Sequence, residues 1–213
     1  MIENKKYILF DNDGVLVETE ALYFEANVKA LKELGIVLTF DRYMKIMARG
    51  GTAWEVALEA GISKETIDKK RFQRDIYYQE FIKTRNIEIP NVKKILKKLS
   101  LKYKMAIITT SRREDFELIH KNRGIVDLMD FVLCVEDYPR AKPFADPYLA
   151  GLAQFNALEA ETIVIEDSQR GLTSAVNAKI DCVIVKNEFT ISHDFTNASY
   201  RIDNLEELTN LLL

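Results

Sequence analysis

The chain has 213 residues, 47% hydrophobic and 30% charged, with a formal net charge of −3 and a pI near 5.6. That length buries a full core, as one large domain or as one domain carrying an insert. The slightly acidic balance gives no electrostatic drive toward nucleic acid or an anionic membrane. No apolar stretch approaches membrane-spanning length, and the start lacks a signal-peptide apolar region, so a cytoplasmic protein is expected. Cys134 and Cys182 each sit in a strand-like run and read as buried reduced thiols; His120 and His193 are too isolated for a zinc site.

The first element is Tyr7-Ile8-Leu9-Phe10, a run rich in β-formers and too short for a helix, followed by Asp11-Asn12-Asp13-Gly14. Side chains alternate along a strand, so Asp11 and Asp13 leave its carboxyl end on one face, and Gly14 permits a sharp turn. Two carboxylates about 4 Å apart repel by roughly 4 kcal/mol at an effective dielectric near 20, so the pair calls for a shared proton or a cation.

From Leu16 to Asn86 the pattern is helical. Glu20–Leu34 places Leu22, Ala26, Ala30 and Leu31 near one face, with Gly35 at its end. A second helix, capped by Thr39 or Asp41, runs to Ala48 and is broken by Arg49-Gly50-Gly51. Thr52-Ala53-Trp54-Glu55 fits a capping box, and Ser63 caps a helix continuing through Ile67, Phe72, Ile76 and Phe81. Residues 16–86 therefore read as an all-helical insert, with residues 1–15 and 87–213 forming the core.

Beyond Asn91, helices and strands alternate: helix 92–99, strand 105–109, helix 113–121, strand 131–135, helix 147–155, strand 162–165, helix 171–178 and strand 181–185. A short strand near 200–202 and a leucine-rich helix from Asn204 complete the chain. This alternation predicts an α/β fold, a doubly wound, Rossmann-like parallel sheet covered on both faces. The lysines at 93, 94, 97, 98, 102 and 104 flank apolar residues at helical spacing and read as a solvated face rather than a binding patch.

Ligands of such a sheet bind beyond the carboxyl ends of its strands. There lie Asp11 and Asp13, then Thr109-Thr110-Ser111, then Glu166-Asp167-Ser168, with Lys142 in the loop before Asp146-Pro147, which reads as an N-cap and N1 pair. Each alone has a plain explanation as a turn, a helix cap or a surface lysine; together they form a consistent site. Asp11, Asp13, Glu166 and Asp167 would gather four carboxylates, an arrangement that needs a divalent cation. Oxygen-only donors favour Mg²⁺. Mg²⁺ and Lys142 would draw in a phosphate dianion, which the hydroxyls and amides of residues 109–111 could hold. A carboxylate in line with phosphorus can attack it, while its neighbour moves the proton.

These motifs resemble the haloacid dehalogenase-like hydrolase superfamily, in its branch with a small helical cap, over essentially the whole chain. Four blocks match in order: Asp11-Asn12-Asp13-Gly14-Val15-Leu16, Ile108-Thr109-Thr110-Ser111, Lys142-Pro143-Phe144-Ala145-Asp146 and Glu166-Asp167-Ser168-Gln169-Arg170-Gly171. The resemblance implies Asp11 as nucleophile, Asp13 as general acid/base, Thr109 as a phosphate contact and Lys142 as their charge partner. It implies Mg²⁺ held by Asp11, the Asp13 carbonyl, Asp167 and Glu166, and the first strand adjacent to the strand carrying Glu166. Dehalogenases of the superfamily lack an aspartate at the Asp13 position, so phosphate-ester hydrolysis of a small phosphorylated metabolite is expected. A mutase like β-phosphoglucomutase is the alternative, weakened because Tyr23 stands where those enzymes place a histidine and because Arg49, a candidate substrate-anion contact, is out of register. A non-catalytic phosphoacceptor protein is the other alternative.

Overall fold

The computed structural model describes residues 2–213. Its core is one sheet of six parallel strands: β1 (Tyr7–Phe10), β2 (Lys104–Ile108), β3 (Phe131–Leu133), β4 (Thr162–Glu166), β5 (Asp181–Val185) and β6 (Tyr200–Ile202). Their order is β3-β2-β1-β4-β5-β6. β1 is central, with Phe10 registered against Ile107 on one side and Ile165 on the other. The chain winds outward from β1 in one direction and restarts at β4 in the other. The carboxyl ends of β1 and β4 therefore flank the switch point, where an open sheet leaves a crevice.

Alternation sorts the strand residues onto two buried faces. Ile8, Phe10, Ile163 and Ile165 pack with Val92, Leu96 and Leu99 of α5 (Val92–Leu99), Phe116 of α6 (Arg113–His120) and Leu208 and Leu212. Leu9, Ala106 and Val164 pack on the other face against Tyr148 and Leu152 of α7 (Asp146–Phe155) and Leu172 and Ala175 of α8 (Gln169–Asn177). The C-terminal helix α9 (Glu207–Leu212) covers the first face.

Between β1 and α5 stands an all-helical cap: α1 (Glu20–Lys32), α2 (Phe40–Ala48), α3 (Glu55–Glu59) and α4 (Lys64–Thr84). Trp54 and Tyr43, 1% and 0% exposed, centre a small apolar core of their own. The two connecting strands of chain meet, since Val17 bridges both Asp13 and Glu88 and Glu18 N donates to Ile87 O at 2.9 Å. Among the described residues no helix is long and apolar enough to cross a membrane, and Cys134 and Cys182 are buried free thiols.

Three local readings change. Asp146 begins α7 rather than capping it; Ala145 holds the cap position, and the Asp146 carboxylate takes a two-pronged bond from Arg140 at 2.9 and 2.8 Å. The box at Thr52 is half formed, because Glu55 accepts from Thr52 N at 3.1 Å while the Thr52 hydroxyl is met only by Trp54 N at 3.5 Å. On α4, Phe72 and Ile76 are 68% and 44% exposed; the buried side carries Ile67, Arg74, Tyr78, Phe81 and Ile82. Only the middle of the inward side is polar: Arg74 and Tyr78, with Arg71 and Asp75 beside them, border a cavity, while Ile67, Phe81 and Ile82 pack at either end.

Close approach explains one glycine. A Cβ at Gly171, in the first turn of α8, would lie 1.9 Å from the Glu166 carboxyl carbon. Gly171→Ala is expected to destabilise the fold by about 2 kcal/mol or more through overpacking and displacement of Glu166. Urea unfolding against wild type checks this, and an unchanged midpoint refutes it.

Candidate active site

The site grows from the ends of β1 and β4. The β1 backbone continues one bond further, with Asp11 N donating to Ile165 O at 2.8 Å, which brings the Asp11 side chain beside Glu166 and Asp167. One oxygen from each of Asp11, Glu166 and Asp167 lies within 4.8 Å of the others, all three residues buried. Gly14, at φ +80°, lets the chain turn away against them; a Cβ there would meet Asp167 Oδ2 at 2.0 Å.

Lys142 enters this cluster from the loop before α7. Its Nζ lies 2.8 Å from Asp11 Oδ1 and 2.7 Å from Glu166 Oε1, and it donates to Ile108 O at 3.0 Å, so all three of its protons are placed. Burial opposes the charge on Lys142, but Asp11 and Glu166 outweigh it and hold the ammonium above its ordinary range. Both oxygens of Glu166 are taken by the protein. Oε1 also accepts from Tyr148 at 2.7 Å, and Oε2 accepts from the Ser168 hydroxyl at 3.0 Å and the Asp167 amide at 3.2 Å. Burial alone would raise Glu166; Lys142 and these donors hold it below the usual carboxylate range.

Asp11 and Asp167 are left short of positive charge. Burial, then the Glu166 charge, pushes Asp11 up to about 7. Burial, then Glu20 and Glu166, raises Asp167 well above its ordinary value. Asn187 Nδ2 donates to Asp167 Oδ2 at 3.0 Å, whereas Asp167 Oδ1 is buried with no partner among the described residues. An orphaned buried carboxylate oxygen among oxygen-only donors fits a small hard divalent cation such as Mg²⁺.

Asp13 is held by hydroxyls instead. Its Oδ2 accepts from Ser111 Oγ at 2.7 Å and Thr109 Oγ1 at 3.2 Å, and its Oδ1 from the Thr19 hydroxyl. Asp13 thus stands apart from the three-carboxylate cluster, on the edge of a cavity of about 350 Å³ between core and cap. Thr110, Ser111 and Lys142 line that cavity with it. Arg49 does not; its guanidinium is bound by Glu55 and its side chain is 61% exposed, while the neighbouring Gly50, Gly51 and Thr52 border the space.

Several further residues line the cavity, of which the sequence singled out only Tyr23 and Arg170. Arg71, Arg74, Asp75 and Tyr78 come from α4, Glu20, Tyr23 and Asn27 from α1, and Arg112, Asp115 and Arg170 from the core. Their periodic spacing (20, 23, 27 and 71, 74, 75, 78) marks one face of each helix, but only docking shows which face meets the site. His120 was also missed. On α6, its Nε2 lies 2.7 Å from Asn12 Oδ1, behind the turn carrying both aspartates, and burial lowers its imidazole to about 4.

The profile of haloacid dehalogenase-like hydrolases matches residues 8–185. A phosphorylated carbohydrates phosphatase of Thermotoga maritima is 30% identical over 183 residues, 82% of each chain. A (DL)-glycerol-3-phosphatase of Arabidopsis thaliana is 28% identical over 192 residues, 84% of this chain and 63% of that one. The structure of CbbY from Rhodobacter sphaeroides in complex with phosphate superposes with a TM-score of 0.81 at 20% identity, covering 96% of both chains, a likeness of fold.

Because His120 is held near 4 in the folded chain and near 6.5 when unfolded, the unfolded state takes up a proton first as pH falls. Stability assigned to the neutral imidazole is therefore complete above pH ~6.5 and lost toward pH ~4. Compared with His120→Gln, wild type is expected to lose about 2 kcal/mol more between pH ~7.5 and pH ~5. Urea titrations of both proteins at each pH measure the difference, and a pH-independent gap contradicts it.

Proposed function

The chain belongs to the haloacid dehalogenase-like hydrolases and is a phosphoric monoester hydrolase; from that premise we propose that it hydrolyses a small phosphorylated metabolite through a phosphoaspartate on Asp11, with Mg²⁺. The observation that carries this reading is the buried ammonium of Lys142, 2.8 Å from Asp11 and 2.7 Å from Glu166, at the edge of a cavity whose rim holds Asp13 among hydroxyls.

Lys142 fixes Asp11 through Oδ1, and among the described residues no donor meets Oδ2, which is free to attack phosphorus. Thr109, Thr110 and Ser111 supply hydroxyls and amides beside the phosphoryl oxygens. Asp13, protonated, gives its proton to the departing alkoxide oxygen as the phosphorus–oxygen ester bond breaks. As a carboxylate it then takes a proton from water that attacks the phosphoaspartate, releasing inorganic phosphate and restoring Asp11. Asp11, Asp167 and the Asp13 carbonyl would hold Mg²⁺, while Glu166, its oxygens occupied, holds Lys142 beside that set. When bound, the cation offsets the charge of the carboxylates and the phosphoryl group. The cap excludes bulk water from this exchange.

Mutase chemistry is less well supported. Tyr23 is stacked under an arginine rather than placed as an imidazole relay, and Arg49 is held by Glu55 outside the cavity.

Asp11→Asn is expected to lower phosphate release by about a thousandfold or more, since nucleophile and Lys142 partner go together. EDTA is expected to abolish release in wild type and added Mg²⁺ to restore it. Phosphate release from an aryl phosphate and a panel of phosphorylated metabolites reads both effects. Activity of the Asn variant above about a tenth of wild type, or indifference to EDTA, rejects the mechanism.

A further inference from the structure

On the cap side of the cavity Glu20 is taken by Arg170 of the core at 3.7 Å, which leaves Asp75 as the lining carboxylate beside Arg71 and Arg74 of α4. Arg112 pairs with Asp115 at 2.8 Å and with Asp75 at 3.0 Å. Asp75 is shared, because it also accepts from Arg74 Nε at 2.7 Å. Arg71 lines the same cavity, and among the described residues no carboxylate lies within ion-pair distance of it. Asp75 and Asp115 thus pair with Arg74 and Arg112, and Arg71 is left without a carboxylate at this end.

Arg74 is the anchor of the group. It is only 6% exposed, although removing a guanidinium from water is costly unless its donors are met. Its Nη1 donates to Asn27 Oδ1 at 3.1 Å, and its plane lies 4.5 Å from the Tyr23 ring centre. These contacts fix the orientation of the fork, yet no protein acceptor meets Nη2 among the described residues. Arg71 is three residues earlier on α4, on the same face. A planar, pre-oriented arginine with an unspent donor edge and a second cation one turn away suits an oxyanion better than a hydroxyl.

Resting on the phosphatase reading above, we propose that Arg71 and Arg74 form a cap subsite for a second anionic group, so that the substrate is a phosphate ester whose far end carries a carboxylate or a second phosphate. The scissile phosphate sits at the Asp13, Thr110, Ser111 and Lys142 end, and the distal anion lies against α4. Tyr23 and Asn27 hold Arg74 in place, and Arg71 supplies a charge with no carboxylate of the described residues within ion-pair distance.

The test compares kcat/KM for phosphate release within matched pairs: glycerol 3-phosphate against 3-phosphoglycerate, and ribitol 5-phosphate against ribitol 1,5-bisphosphate. An aryl phosphate serves as the generic substrate. In wild type at least one anion-ended member is expected to exceed its neutral partner by about 30-fold, the scale of one or two charge-assisted hydrogen bonds. The carboxylate and bisphosphate arms identify which anion is taken. Arg71→Ala removes an exposed side chain, and Arg74→Lys keeps the buried charge while removing the fork. Each is expected to reduce the preference ratio toward unity, about tenfold or more. Equal or better turnover of the neutral members in both pairs overturns the subsite, as does a preference that survives both substitutions. Turnover of the aryl phosphate without any preference overturns the subsite alone, whereas no release from any compound overturns the phosphatase reading and the subsite with it.

Discussion

Three carboxylates buried at the end of a parallel sheet share one ammonium, and most of the molecule around them is arranged to tolerate that imbalance. At an effective dielectric near 20, each like-charge pair at about 4 Å costs roughly 4 kcal/mol, comparable to a large share of a domain's net stability. Lys142 offsets part of this by touching both Asp11 and Glu166, and the hydroxyl and phenol donors around Glu166 offset more. Burial first, and the neighbouring carboxylates after it, raise the proton affinity of Asp11 and Asp167, the two carboxylates with an oxygen that no donor among the described residues satisfies. Gly14 and Gly171 are part of the same solution, because a Cβ at either would occupy the space of a carboxylate. A cation and a phosphoryl group bound at such a site would relieve a cost already present in the folded chain.

Contacts on two sides, besides the Arg170–Glu20 pair, tie the cap to this centre. On one side Asp75 and Gln79 of α4 meet Arg112 and Asp115, which open α6 directly after the Thr109–Ser111 hydroxyls. On the other, Phe189 packs edge-on against Phe40 and Tyr43 of the cap, and Phe189 belongs to the same short turn as Asn187 and Thr190, which hold Asp167 by its side chain and its carbonyl. Cap position and carboxylate position are thus linked through a few short contacts, and the space enclosed is polar and metabolite-sized.

Much of this was legible from residue order. Short apolar runs alternating with helical periodicity specify a parallel sheet, and polar residues at the ends of those runs mark the crevice, because strand alternation and the switch-point rule are local and topological constraints. Asp11, Asp13, Thr109, Ser111, Lys142, Glu166 and Asp167 all lie at or beside the ends of strands and occupy one region of the fold. Arg49 was misleading because a glycine-containing turn in a cap resembles a ligand loop, whereas Glu55, six residues on, takes its charge.

What the sequence by itself determined is the sheet, its helical insert and the set of strand-end residues able to carry phosphoryl chemistry, since these follow from periodicities of two and 3.6 and from turn chemistry. Tertiary structure alone decided that Glu166 is saturated by protein donors, that His120 supports Asn12, and that Arg71 and Arg74 rather than Arg49 border the cavity. The physical reason is that a helix presents several faces of similar polarity, and the one that meets the site is chosen by how the cap docks, through long-range contacts no local pattern encodes.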